Sequence, residues 1–176
     1  MLNKQEFQNI KKDLEKHERL REDSIKKSRE IIKISKLITY ALHRNDIKKA
    51  DKLVIAIKNK INGVSKEISY SDINRVATQE YVEALCYYEF IKRKKIPIRK
   101  DLDVNTEDYL CGLCDLTGEL VRKAVDERIK KNINNVIEIR NLVDDIYGEF
   151  LMFDLRNGEL RKKMDSIKWN LKKIEE

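Results

Sequence analysis

Apolar residues recur every three or four positions along most of this chain, which is the spacing of helices that bury one face. The first such stretch runs from about Asn3 to Arg44, and its early part is strongly charged. Its later part carries an apolar stripe formed by Ile31, Ile34, Leu37, Ile38, Ala41 and Leu42. Alternating apolar and polar residues, the mark of half-buried strands, do not recur. The pattern therefore predicts an all-α fold.

Capping and turn residues predict where the other helices begin and end. Asp46 is expected to cap a second helix that ends before Asn62-Gly63, and Pro97 to stop the third helix. Thr106 is expected to cap the fourth helix after a linker over 98–105. The remaining helices are predicted over 132–154 and 156–176, parted by Asn157-Gly158, and the second and third over 48–61 and 72–94. Together these elements predict a bundle of about six or seven helices in a single domain, 1–176.

Composition and charge narrow the class of partner. The 176 residues include only 5 Gly and 1 Pro, 39% are charged, and the net charge is +7. A basic balance favours an acidic partner, with nucleic acid first, although lysine and glutamate enrichment is also a habit of thermophiles. No apolar run reaches the roughly 18 residues of a membrane span, and no signal peptide opens the chain. The three cysteines favour a reducing cytoplasm over a disulfide framework.

Two pairs of carboxylates carry the chemistry that this sequence suggests. Glu80 and Glu83 are three residues apart, and Asp115 and Glu119 are four apart, so each pair shares one face of a helix. If these faces turn toward each other, they form an all-oxygen site suited to Mg²⁺ or Mn²⁺. Such a site is equipped for phosphodiester chemistry.

Simpler roles for the same residues stay open. The third predicted helix is apolar nearly all round, so its two glutamates are expected to be buried. An arginine or a lysine would then be their structural partner, for instance Arg29 or Arg44 of the first helix. The Asp115 and Glu119 pair alone is more typical of a solvated face. Cys111-x-x-Cys114 resembles half of a zinc site but has no second pair, and both cysteines fit as packing residues. The tyrosines of the third helix are expected in the core, His43 as a structural histidine at a helix end, and Trp169 at a protomer interface.

Four stretches, in order along the chain, resemble the translin/TRAX family and within it the TRAX branch. They are Ser28-Arg29-Glu30-Ile31 with Ser35-Lys36 and Leu42-His43-Arg44; Gln79-Glu80-Tyr81-Val82-Glu83-Ala84; Asp108-Tyr109-Leu110-Cys111-Gly112-Leu113-Cys114-Asp115-Leu116-Thr117-Gly118-Glu119-Leu120; and Leu160-Arg161-Lys162-Lys163 with Lys172-Lys173-Ile174-Glu175-Glu176. The last stretch looks more like translin than TRAX. This mixture suggests one subunit type serving both roles, and hence a homo-oligomer.

The resemblance implies an all-helical protomer that assembles into a hollow, roughly octameric shell around RNA. It implies Mg²⁺-dependent endoribonuclease activity on single-stranded or nicked RNA, leaving 5′-phosphate and 3′-hydroxyl ends. Glu80, Glu83 and Asp115 occupy positions that match the catalytic, metal-dependent residues of TRAX-like subunits, and Glu119 matches an additional acidic position. A non-catalytic, translin-like shell that binds single-stranded RNA or DNA is the first alternative, and a purely structural helical adaptor is the second.

Basic residues supply candidates for contacts with phosphates, which would make RNA binding steeply salt-dependent. The candidates are Lys92, Arg93, Lys94 and Lys95, together with Arg19, Arg21, Lys26 and Lys27. Solvated helix ends are the alternative role for each of these runs.

Overall fold

Seven helices make up the described part of the chain, residues 2–61 and 72–176 of a computed structural model, and no strand occurs there. They are α1 (Lys4–His43), α2 (Ile47–Ile61), α3 (Asp72–Arg93), α4 (Arg99–Leu102), α5 (Thr106–Ile129), α6 (Ile133–Leu151) and α7 (Glu159–Glu175). The predicted all-α bundle is confirmed. Across these described ranges, no helix is both long and apolar enough to cross a membrane.

Four of the long helices, α1, α3, α5 and α7, lie side by side in this order and run in the same direction. Ser28 of α1 bonds Asn74 of α3, and further along both helices His43 contacts Tyr87, so α1 and α3 are parallel. α5 packs on α3, and α7 on α5, in the same sense. α2 and α6 return in the opposite direction, as the Lys60–Glu30 pair between α2 and α1 illustrates. Side chains at similar heights on α1, α3, α5 and α7 therefore come together.

The core lies around α3, which is buried on nearly every side. Its tyrosines are packed inside, as expected: Tyr81, Tyr87 and Tyr88 are all buried. Leu116 and Leu120 of α5 complete this layer with no exposure. The buried residues of all the long helices join one apolar cluster, which fixes the spacing of α3 and α5.

Helix boundaries follow the predicted caps with two corrections. Asp46 caps α2 by accepting a hydrogen bond from the Lys49 amide at 3.1 Å, as predicted. Thr106 is not the cap of α5: Asn105 is, because its side-chain oxygen accepts the Asp108 amide at 2.8 Å. The predicted linker contains the single turn of α4, which ends at Asp103 in a left-handed conformation with φ 50°. The Asn62-Gly63 stop lies outside the described residues.

The C-terminal helices are shorter than the apolar pattern suggests. α6 ends at Leu151 rather than at 154, and α7 begins at Glu159 rather than at 156. The residues between them are mostly exposed, so no buried face extends the helical pattern there.

α1 projects well beyond the bundle. Its 40 residues span about 60 Å at 1.5 Å per residue, yet its first buried residue is Ser24. The preceding residues are exposed, including the apolar side chains of Phe7, Ile10 and Leu14. About half of this helix therefore has no buried residue among those that the structure describes.

Candidate active site

The parallel packing of α3 and α5 brings the four predicted carboxylates together. Glu80 and Glu83 lie on α3, Asp115 and Glu119 on α5, and Glu83 interacts electrostatically with the other three. These four side chains are called the acidic cluster below. The exposed fractions of the Glu80, Asp115 and Glu119 side chains are 24%, 33% and 26%, so the cluster is half-buried rather than a solvated face.

Gly112 sets the close approach of the two helices beside this cluster. A Cβ at this position would lie 2.6 Å from both Cβ and Cγ1 of Val82, and 2.9 Å from the backbone oxygen of Gln79. These distances are far shorter than an ordinary carbon–carbon contact of about 3.5–4.0 Å. Because Val82 lies between Glu80 and Glu83 in α3, a glycine on α5 is what allows the two acidic pairs to lie so close.

Cationic side chains from the two outer helices neutralise part of the cluster. Lys36 of α1 places Nζ 3.5 Å from Oε1 of Glu80. Lys163 of α7 places Nζ 2.5 Å from Oδ2 of Asp115 and donates a second hydrogen bond to Oε1 of Gln79 at 3.0 Å. The structural partner of Glu80 is thus a lysine of the first helix, one of the two residue types expected in this role. Neither Arg29 nor Arg44, the two examples considered, pairs with Glu80 in the described chain.

Arg44, considered above as a partner of the buried glutamates, instead contacts Tyr40. Its Nη1 donates to the hydroxyl of Tyr40 at 3.3 Å, and its guanidinium lies over the ring of the same tyrosine. Arg44 is thus an exposed residue at the C-cap of α1, one turn after Tyr40, and forms no described ion pair with Glu80 or Glu83.

Glu83 is the carboxyl of the cluster whose pKa is raised furthest. Burial and the charges of Glu80, Asp115 and Glu119 together raise its pKa to about 8. Among the residues that the structure describes, no lysine, arginine or histidine forms an ion pair with it. Burial also raises the pKa of Glu80, although Lys36 opposes that effect. A divalent cation at this point would relieve the repulsion directly.

His43 belongs to this site, and sequence reasoning treated it only as a structural histidine. Its Nε2 lies 2.5 Å from Oε2 of Glu119, and its Nδ1 lies 3.3 Å from the hydroxyl of Tyr87. A carboxylate only accepts hydrogen bonds, so in the neutral ring Nε2 donates to Glu119 and the Tyr87 hydroxyl donates to Nδ1. The hydrogen bond from His43 holds the pKa of Glu119 below its usual range. The one signal in the sequence was the position of His43 within a stretch that carries the family resemblance.

The cluster fits a hard divalent cation in residue type, because carboxylate oxygens are the ligands that Mg²⁺ and Mn²⁺ prefer. Its side chains do not converge fully: within the described ranges, no three His, Cys, Asp or Glu residues are close enough together to hold an ion. Lys36 and Lys163 each pair with one oxygen of the cluster, on Glu80 and Asp115. A cation that used these same oxygens would have to displace the two ammonium groups.

Cys111 and Cys114 are both buried beside the cluster. Burial raises the pKa of Cys111 to about 11 and that of Cys114 to about 12. Both side chains therefore stay protonated near neutral pH, which suits packing rather than metal ligation.

The candidate phosphate-binding residues at the end of α3 are largely paired with acids. Lys92 lies 2.7 Å from Asp51, Arg93 2.9 Å from Glu89 and Lys94 2.6 Å from Glu138. Arg19 and Arg21 lie on the projecting half of α1, where Arg21 is 3.6 Å from Glu18. None of these residues, nor Lys95, contacts the acidic cluster within the described chain, and their contact with RNA stays a prediction.

Comparison with known proteins gives this site a family context. The model of the Translin family matches residues 15–176. An uncharacterized protein of Methanocaldococcus jannaschii is 33% identical over 170 residues, covering 88% of this chain and 72% of that protein. Translin-associated protein X of Pongo abelii is 27% identical over 208 residues, covering 92% of this chain and 70% of that protein.

Two solved structures have the same fold as this chain. The crystal structure of apo-NeC3PO superposes with a TM-score of 0.91 at 31% identity, covering 99% of this chain and 95% of that one. The structure of an AfC3PO–duplex RNA complex superposes with a TM-score of 0.84 at 25% identity, covering 97% and 93%. With a family match over nearly the whole sequence and the same all-helical fold, this chain belongs to the translin family.

Proposed function

We propose that this protein is a metal-dependent endoribonuclease of the translin/TRAX type, acting on single-stranded or nicked RNA. The observation that carries the proposal is the acidic cluster, in which α3 and α5 bring Glu80, Asp115 and Glu119 close enough to Glu83 to act on it electrostatically. The RNA bound by the AfC3PO structure is a duplex, so that neighbour supports RNA as the ligand class and leaves the strand preference to experiment.

Glu80, Glu83, Asp115 and Glu119 would hold one or two Mg²⁺ or Mn²⁺ ions. When bound, the metal supplies an activated water and neutralises charge on the transferring phosphoryl group. The protein's own part is to position the ligands. His43 orients Glu119 through Nε2, and the close approach of α3 and α5 at Gly112 sets the distance between the acidic pairs.

RNA binding would depend on basic side chains and on assembly. Arg19, Arg21 and the 92–95 run remain candidates for phosphate contacts, and the net charge of +7 supports a polyanionic partner. The family context supports a homo-oligomer, and an octamer in the cytoplasm is the specific form proposed. Trp169, whose side chain is 62% exposed in the protomer, is proposed to pack at a contact between subunits.

Cleavage of a labelled single-stranded RNA tests the proposal. The reaction is run with Mg²⁺, with EDTA, and with a Glu83→Gln variant, which preserves shape but removes the charge. Glu149→Gln is the matched control, because Glu149 is an exposed glutamate on α6 that lies outside the cluster. We expect cutting to require both metal and Glu83, with RNA binding preserved in both variants. Full cleavage by Glu83→Gln would contradict the assignment of this residue.

The second candidate function is a translin-like, non-catalytic oligomer that binds single-stranded RNA or DNA. Lys36 and Lys163 favour it, because they already neutralise two of the four carboxylates and make the cluster resemble a structural ion-pair network. RNA that is bound but stays intact with Mg²⁺, and is bound equally by the Glu83→Gln variant, would identify this function instead.

A further inference from the structure

We propose that Lys36 and Lys163 are exchangeable counter-ions of the acidic cluster. They pair with Glu80 and Asp115, give up these oxygens when a divalent cation binds there, and then contact phosphates of the bound RNA. This inference rests on the proposed function and adds to it a coupling between metal binding and RNA binding at one site.

The geometry places the ammonium groups on the very oxygens that a cation needs. Lys163 reaches Asp115 from α7 and Lys36 reaches Glu80 from α1, so the two approach from opposite sides of the α3–α5 pair. Each of these two carboxylates already shares an oxygen with an ammonium group. A cation can use that oxygen only if the ammonium group gives it up.

A divalent cation and these lysines compete because they carry the same sign of charge and use the same acceptors. A cation beside Asp115 would stand within a few ångströms of the Lys163 ammonium group, and the two would repel each other strongly in a half-buried site. Removing either ammonium group should therefore strengthen metal binding. A lysine whose role was to support the site's structure would have the opposite effect.

The released side chains can move to a phosphate without disturbing the core. Lysine carries a compact charge with three rotatable donors on a flexible stem, and the side chain of Lys36 is 66% exposed. Lys163 is more buried, at 24% exposure. Gln79 at 3.0 Å and Glu159 at 4.0 Å also contact its ammonium group and keep it close to the cluster. RNA brought to the cluster offers the anionic oxygens that replace Glu80 and Asp115. Metal and RNA should consequently bind with positive coupling.

The test uses Lys36→Met and Lys163→Met, which keep most of the side-chain volume and remove the charge. Mn²⁺ affinity is measured without RNA by electron paramagnetic resonance. RNA affinity is measured by fluorescence anisotropy in EDTA and in Ca²⁺, with RNA integrity checked on a gel. We expect Mn²⁺ affinity to rise about three- to tenfold in each variant, the range that a partly buried ion pair supports. In Ca²⁺, we expect weaker RNA binding, with the slope of log affinity against log salt smaller by about one.

Lys168→Met is the matched control, since Lys168 is an exposed lysine of the same helix with no ion pair to any described acid. It should leave Mn²⁺ affinity unchanged. The exchange would be overturned if the Lys36→Met and Lys163→Met variants bound Mn²⁺ no more tightly than the wild type. It would also be overturned if they bound Mn²⁺ more tightly but bound RNA in Ca²⁺ as the wild type does. Failure of the proposed nuclease function would give a different result. The lysine variants would still bind Mn²⁺ more tightly and RNA more weakly, but the wild-type protein would cleave no RNA.

Discussion

Replacing Gly112 by alanine should separate α3 from α5 and weaken the acidic cluster without touching any of its carboxylates. The new Cβ would meet Val82 at 2.6 Å, so the helices must move apart by about 1 Å to restore an ordinary contact. Overpacking of this kind costs about 1–3 kcal/mol. The better helix propensity of alanine offsets this by about 1 kcal/mol. We expect a net loss of up to about 2 kcal/mol, which lowers the melting temperature by up to about 8 °C for a chain of this size.

The same movement should reach the site, because Val82 lies between the two cluster glutamates of α3. An increase of about 1 Å between α3 and α5 exceeds the tolerance of about 0.5 Å within which a functional constellation must be held. Mn²⁺ affinity and metal-dependent RNA cleavage should therefore both fall in Gly112→Ala. Melting curves, Mn²⁺ titration and the cleavage assay measure the three effects on one preparation.

Gly148→Ala is the matched control for Gly112→Ala. Gly148 also lies inside a helix, but a Cβ there would have no neighbour within 4 Å. This variant should gain about 0.5–1 kcal/mol from helix propensity and leave Mn²⁺ affinity unchanged. If Gly112→Ala matched it in both stability and Mn²⁺ affinity, the claim that Gly112 sets the spacing of the cluster would be refuted.

Three further predictions concern titratable groups. His43→Gln keeps a donor near the Nε2 position and should retain most of the Mn²⁺ affinity that His43→Leu loses; equal loss in both would argue against orientation of Glu119 by His43. Burial alone would raise the pKa of Glu127, but hydrogen bonds from two asparagines and Lys123 lower this pKa to about 2. Glu127→Gln removes the nearer of the two anions beside Lys123 and leaves Asp126 at 3.8 Å, so it should cost about 1–3 kcal/mol at pH 7. Because the folded-state pKa is depressed, this advantage of the wild type should vanish as pH falls from about 4.5 toward 2, as measured by urea denaturation. The pKa of Glu83 is raised instead, to about 8, so its contribution to stability should decline as pH rises from about 4.5 to 8. Glu83→Gln should then melt higher than the wild type at pH 8 without metal, and equal melting there would contradict the repulsion within the cluster.

The local sequence pattern was sufficient to predict the helices, but not which side chains of different helices contact one another. Helical spacing predicted that the α3 tyrosines are buried and that each acidic pair shares one face. Lys36 and Lys163 were not assigned, because the height at which α1 and α7 lie beside α3 and α5 depends on how the whole core packs. Thr106 was assigned as a cap in place of Asn105 since both residue types can cap a helix, and only the backbone path selects between them.

His43 shows the same limit at the site itself. Its contact with Glu119 joins residues 76 positions apart, and no periodicity within either helix encodes that meeting. Tyr87, by contrast, was expected only as a core residue, and its buried position is what allows its hydroxyl to reach the histidine ring.

The parallel arrangement of α1, α3, α5 and α7 divides the charges of the acidic cluster among segments that are synthesised at different times. Lys36 and all four carboxylates precede Lys163, which follows Asp115 by 48 residues. At a translation rate of about 5–20 residues per second, roughly 2–10 s pass between these two residues. During that interval the nascent chain holds the acidic residues with one of their two lysines. The two lysines that neutralise the cluster are therefore both in place only after α7 has been synthesised.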